Sequence, residues 1–163
     1  TSKLATAVTM VAALFFVTDL EPLDVYAVTG RSPTDVDYFD AAAIRFTQGA
    51  TGSISGSAGL PKQSPPQMDL KLYGSEGMLL LDVEEGRERL HVQRFDKTDS
   101  NLKMERGTGF GSYSTQEPVN RFIELCRGKQ ARNCGDHVVG SKTIHVLEAM
   151  YQSSSTGKTI KCT

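Results

Sequence analysis

Asp35 and Asp37, two residues apart, are the acidic pair whose spacing best suits joint chemistry in this 163-residue chain. At the start of a strand that spacing puts both carboxylates on one side, where paired acids can bind a metal or exchange a proton. They stand in a turn-rich stretch, GRSPTDVD (30–37), and aspartates there more often bond their own backbone. The histidines offer less. His137 and His145 fall eight residues apart on one expected helix, too far to share a metal, and no HExxH spacing occurs. His91 alternates with Leu90 and Val92 and should face away from a sheet's apolar side. Serines abound, but none lies in a GxSxG elbow. Gly107-x-Gly109-x-Gly111 lacks the strand-to-helix context that would bring a helix N-terminus to a phosphate. Residue chemistry alone yields no convincing active site, and no catalytic residue is assigned.

The elements that must position these groups begin with an apolar run, ATAVTMVAALFFV (5–17). From Leu4 to Val17 it is 14 residues, shorter than the roughly 20 a bilayer-spanning helix needs. Lys3 would suit a signal peptide, but no small-x-small cleavage site follows, so a buried helix is expected. Period-two alternation marks strands at 22–29, 40–47 and 67–74. The small residues of 51–60 suggest a closely approached strand, 78–83 reads as a strand covered on both faces, and 89–95 follows after a turn. Residues 96–113 are read as a polar, Gly-rich loop. Ser114-Thr115-Gln116-Glu117 forms a capping box before Pro118. Val119, Phe122, Ile123 and Cys126 recur at helical spacing, and Gly128 stands as the stop. A second helix, about 136–155, should carry Val139, Ile144, Leu147, Met150 and Tyr151 inward. KTIKC (158–162) reads as a last short strand.

Consecutive strands joined by short turns, with the helices grouped, describe an α+β fold. The expectation is one domain over 1–163: an open, predominantly antiparallel sheet with helices on one face. The other face is left for solvent, another domain or another subunit. A formal charge of −1 with scattered Lys and Arg gives no reason to expect nucleic acid or an anionic membrane as partner. Three cysteines without CxxC spacing are read as free thiols in a reducing compartment, which together with the short apolar run implies a cytoplasmic protein.

Four stretches taken in order carry a resemblance: DVDYFDAAAIRFTQGATGSISGS, LKLYGSEGMLLLDVE, EPVNRFIELCRGK and TIHVLEAMYQSSSTGKTI. Together they resemble the C-terminal domain of the Gfo/Idh/MocA oxidoreductases over about residues 20–162. The resemblance implies an open sheet whose exposed face mediates homo-oligomerisation. It also implies a pocket for a sugar, cyclitol or related hydroxy compound, oxidised by hydride transfer. NAD or NADP is implied for the complete enzyme, held by a Rossmann domain that is missing here or supplied elsewhere; no cofactor is expected in this chain itself. The strand connection nearest the expected domain junction places Arg31, Asp35 and Asp37, with Tyr26 on the strand before, as substrate-binding candidates.

The resemblance fails at one point. The family carries a catalytic His and Asp on the helix leading into the first strand, and the opening run contains neither. Val8 or Thr9 stands at the His position and Val11 or Ala12 at the Asp position. Without an imidazole to take a proton from a hydroxyl, the isolated chain is expected to be inactive. The rival expectations are a stand-alone, non-enzymatic module that binds a polyol or self-associates through its sheet, and a remnant that scaffolds a partner.

Overall fold

The computed structural model describes residues 4–33, 37–59, 61, 68–83, 86–104, 116–131, 133 and 135–163; within these, the side chains of 4–7 and 31 are not described. In chain order the elements are α1 (Leu4–Val17), β1 (Pro22–Arg31), β2 (Asp37–Phe46), β3 (Thr51–Ser57), β4 (Asp69–Gly74), β5 (Gly77–Asp82), β6 (Arg89–Arg94), β7 (Asp99–Lys103), α2 (Gln116–Cys126), α3 (His137–Thr156) and β8 (Ile160–Lys161). The α+β class is as expected, with two open antiparallel sheets in place of the single one. The chain divides into two compact units, Thr1–Lys62 with Cys134–Thr163, and Gln63–Asn133.

In the first unit the sheet order is β3-β2-β1-β8, every pair antiparallel. Alternation works as the sequence indicates. Val25, Ala27, Ala42, Ile44 and Phe46 point to one face and are buried there beneath α1 and α3. Val25 lies opposite Ile44 and Ala27 opposite Ala42, so a pair of alanines sits side by side on the core face of β1 and β2. Ala149 of α3 is buried in the same core, and small residues on both surfaces let helix and sheet approach closely. Phe15 of α1 meets Phe46 edge-to-face at 6.4 Å between ring centres. The Phe46 ring also lies over Gly52, where a Cβ would sit 3.0 Å from it, so the glycine makes room for the aromatic.

α3 is capped as its sequence requires. The Asp136 carboxylate accepts the Val139 N–H at 2.9 Å, and Gly157 turns left-handed at φ 65° to end the helix. Its inward face differs from the expected one. Val146, Leu147, Ala149 and Met150 are buried, whereas Ile144 is 58% exposed and Tyr151 is 40% exposed. The sheet runs under only part of the helix circumference, and a wholly apolar stripe count overstates that arc.

One edge of this sheet has an unusual finish. β8 pairs with β1 only at Asp24 and Val25, so the N–H groups of Ala27 and Thr29 have no strand beside them. Two hydroxyls of α3 take that place. Ser153 Oγ accepts the Ala27 N–H at 2.9 Å and donates to the Lys158 carbonyl at 2.6 Å. Ser154 Oγ accepts the Thr29 N–H at 3.0 Å.

In the second unit the sheet order is β4-β5-β6-β7. Gly77 in the β4–β5 hairpin is forced: a Cβ there would lie 2.0 Å from the Gln93 carbonyl oxygen of β6. β7 falls within the stretch read as a loop. Its residues Asp-Ser-Asn-Leu-Lys are all exposed, so an edge strand formed without the apolar alternation by which strands are recognised. α2 forms where its apolar spacing indicates, and Gly128 is left-handed at φ 71° as its stop. Its stripe is nonetheless exposed, Phe122 at 66%. Ser114 and Thr115 of the expected capping box lie outside the described residues.

Ser153 is fully buried, and Ser153→Ala strands the Ala27 N–H and the Lys158 carbonyl. Leaving buried groups unpaired costs about 1–3 kcal/mol. Urea unfolding should show a loss of that size for Ser153→Ala and a smaller one for Ser154→Ala, whose site is half-buried and reachable by water.

Candidate functional site

The side chains with chemical potential in the first unit gather on the helix side of its sheet, beyond the apolar core. Counting back along β2 from Phe46 through Ile44 and Ala42, alternation brings Asp40 onto the core face. Its register partners are Thr29 on β1 and Gly56 on β3. The Asp40 carboxylate leans over Gly56, where a Cβ would come within 2.9 Å of its Oδ2. Among the described residues it has no hydrogen-bond partner.

From α3, Tyr151 and Ser154 meet this end of the sheet. The Tyr151 hydroxyl donates a short hydrogen bond to Asp37 Oδ2. The Ser154 and Thr29 hydroxyls bond each other at 2.8 Å. Burial, with the Asp37 charge adding to it, raises the Asp40 carboxyl above the ordinary aspartate range. The Tyr151 phenol is pushed up to about 12, first by burial and then by its bond to Asp37. The cluster therefore presents one carboxylate engaged by a phenol, a second without a partner among the described residues, and a pair of aliphatic hydroxyls. Such groups accept and donate hydrogen bonds to hydroxyl-bearing ligands. They include no imidazole or thiol.

Of the candidates from sequence, Asp37 belongs to this cluster. Tyr26 does not, because it lies between the buried Val25 and Ala27 and so projects from the opposite face. The Arg31 side chain and Asp35 fall outside the described residues, so the Asp35–Asp37 pairing is not on view. Gly107, Gly109 and Gly111 also lie outside them. Asp40, Tyr151, Thr29 and Ser154 were not singled out. A signal for Asp40 was present: it is a charged residue at the core-facing phase of a strand. Tyr151 gave none, since a tyrosine at helical spacing reads as core.

On the opposite face the sheet shows Tyr26, Val28, Phe39, Ala41, Ala43, Ser53 and Ser55, all exposed. Arg45 makes a two-pronged pair with Asp24 at one end of that face, and its hydrogen bonds hold the Asp24 carboxyl below the usual range. In the second unit a cavity of about 310 Å³ lies at the β4–β5 hairpin, with Leu72, Leu79 and Val92 beside an Arg94–Glu76 pair at 3.7 Å. His137 and His145 are exposed on α3 and His91 is half-buried on β6. No group of three His, Cys, Asp or Glu among the described residues could hold a metal ion. Cys126 and Cys162 are free thiols, the latter pushed up to about 11 by burial. Among the described residues no helix is long and apolar enough to cross a membrane.

No protein-family profile matches the sequence, nor does any curated protein. Solved structures do match in fold, and they are oxidoreductases of the Gfo/Idh/MocA type. An inferred oxidoreductase from Thermotoga maritima aligns over 94% of this chain with a TM-score of 0.73 at 15% identity. The aldose-aldose oxidoreductase of Caulobacter crescentus, solved with glycerol, aligns over 95% with a TM-score of 0.66 at 17% identity. The WlbA dehydrogenase of Bordetella pertussis, solved with NADH and UDP-GlcNAcA, aligns over 95% with a TM-score of 0.67 at 20% identity. The chain spans less than half of these proteins, 45%, 45% and 43% of their respective lengths. At such identities the likeness is one of fold, and it is the fold the sequence resemblance led us to expect.

The Tyr151 site has a direct spectroscopic reading. In an alkaline absorbance titration of the five tyrosines, one phenol should titrate near pH 12 and vanish in Tyr151→Phe. Because the folded-state value lies above the unfolded one, the contribution is fully present below about pH 10 and is lost as pH rises toward 12.

Proposed function

We propose that this chain is the substrate-binding and oligomerisation part of an NAD(P)-dependent oxidoreductase acting on a sugar, cyclitol or related hydroxy compound. The observation that carries the reading is the fold match over nearly the whole chain to oxidoreductases about twice as long, one of them solved with NADH and UDP-GlcNAcA. The described elements do not suit a dinucleotide. Both sheets are antiparallel throughout, with no βαβ crossover and hence no switch-point crevice at the end of parallel strands. Binding of NAD or NADP would then fall to a Rossmann domain elsewhere in the enzyme or on another chain.

This chain's part is recognition without proton abstraction. Val11 is buried in the core, and Val8, Thr9 and Ala12 are half-buried on α1, so none of the four positions offers a base. Substrate hydroxyls would be met by Asp37, with Arg31 at the end of β1 and Asp35 between β1 and β2 in the sequence, while Tyr26 on the opposite face is left out. Asp40 and Tyr151 join them on the strength of the cluster. The exposed face bearing Val28, Phe39 and Ala43 is the surface for a second copy, which would withdraw its aromatic and aliphatic side chains from water.

Thermal unfolding with a panel of aldoses and polyols, in the absence of nucleotide, tests the recognition role. A ligand that binds only the folded chain raises Tm, by about 2.7 kcal/mol of stabilisation at a hundredfold excess over Kd. The expected outcome is a rise with at least one polyol, lost in Asp37→Asn, and no rise with NADH. No rise with any sugar would contradict the reading.

A further inference from the structure

β3 forms the outer edge of the first unit's sheet, and three features of it are self-complementary. The first is the phase of its hydrogen bonds. Ala58 N–H bonds the Tyr38 carbonyl at one end of the β2–β3 ladder and Phe46 N–H bonds the Ala50 carbonyl at the other, each at 2.8 Å. The register between them runs without a shift. Even-numbered residues of β3 therefore bond inward to β2, and Thr51, Ser53, Ser55 and Ser57 turn their N–H and C=O groups outward. Among the described residues no strand lies beyond them.

The second feature is the absence of guards. Natural edge strands are usually blunted by lysine, proline, a bulge or short length. β3 is seven residues long, TGSISGS, with no charge, no proline and no bulge. At the opposite edge β8 has two residues and carries Lys161, and the serines of α3 occupy the remainder of that side.

The third feature is a palindrome. Read outward from Ile54, the strand has Ser53 and Ser55, then Gly52 and Gly56, then Thr51 and Ser57. Two copies laid antiparallel about a two-fold axis at Ile54 would set Ser53 against Ser55 and Thr51 against Ser57. Those are the outward-bonding residues, so every pair can exchange both backbone bonds. Ile54 would meet Ile54 at the axis as a non-hydrogen-bonded pair, and glycine would oppose glycine. A shift by one pair in either direction would break this match by setting Gly52 or Gly56 against Ile54.

We propose that β3 is a self-association edge, at which a second copy of this chain adds its own β3 antiparallel about Ile54 to make one continuous eight-stranded sheet. An isologous contact of this kind closes on itself and leaves no further copy of the edge exposed. It is independent of association through the sheet face, and the two are separable by mutation.

In Val28→Asp chain, whose sheet-face association is disabled, sedimentation equilibrium from micromolar to millimolar concentration should show a dimer. Adding Ser55→Pro should abolish it, because the N–H that proline removes points outward and is not used among the described residues. In chain carrying Cys126→Ser, Cys134→Ser and Cys162→Ala, Ile54→Cys should cross-link to a disulfide dimer under mild oxidation, since facing Cβ atoms of such a pair lie within disulfide reach. Ser53→Cys in the same background should cross-link far less. A chain that stays monomeric throughout overturns the proposal, as does a dimer untouched by Ser55→Pro. If Ser55→Pro fails to fold, the cross-links decide: a bond through Ser53→Cys in preference to Ile54→Cys overturns the register and with it the proposal.

Discussion

Beyond Val25 the first strand runs out of a neighbour, and the Ala27 and Thr29 N–H groups turn toward a helix instead of a strand. Backbone groups withdrawn from water without acceptors are costly, so this edge constrains everything around it. The Ser153 hydroxyl meets the constraint only if α3 lies close against β1, which in turn needs small residues beneath it. Ala27, Ala42 and Ala149 supply them. The same hydroxyl donates to Lys158, tying the chain after Gly157 into position to start β8. Helix placement, sheet edge and chain return are thus coupled through one buried side chain.

Docking α3 in this way also decides what its neighbours do. One residue on from Ser153, Ser154 reaches Thr29, and Tyr151 reaches Asp37, so the polar cluster beyond the core follows from the placement of the helix. Asp40 shares this end of the sheet, with glycine opposite it to leave its carboxylate space. Proton transfer would need a group poised between acid and base near neutral pH. A phenol pushed up to about 12 lies far from that range and acts as a fixed hydrogen-bond donor. The division of labour proposed above, recognition in this chain and chemistry elsewhere, agrees with a fold that accounts for under half of the oxidoreductases sharing it.

Where side-chain period reports burial directly, the sequence was easily read. β1, β2 and β3 alternate because one face lies under helices, and Asp136 and Gly157 bound α3 as capping chemistry dictates. Legibility fell where burial and pattern part company. β7 is an edge strand with every residue exposed, so nothing forces apolar alternation on it. Ile144 and Tyr151 stand at helical spacing yet outside the arc that the sheet covers. One boundary between the two units falls in the Pro-rich stretch PKQSPP (61–66), which by itself marks no more than a loop. For the site, Asp37 was legible as a turn-flanking acid, but its partner Tyr151 is 114 residues away and is brought there only by the docking of α3. The serine run 153–155 looked like simple polarity, because the need it meets lies in the backbone of another element.

Native-state hydrogen exchange at the Ala27 amide is the most direct measurement of the central claim, that a serine hydroxyl completes the edge of β1. If the claim holds, this amide exchanges only through global unfolding, as slowly as those bonded to β2, and exchanges markedly faster in Ser153→Ala. An Ala27 amide that exchanges at the rate of exposed edge positions in the native chain would contradict it.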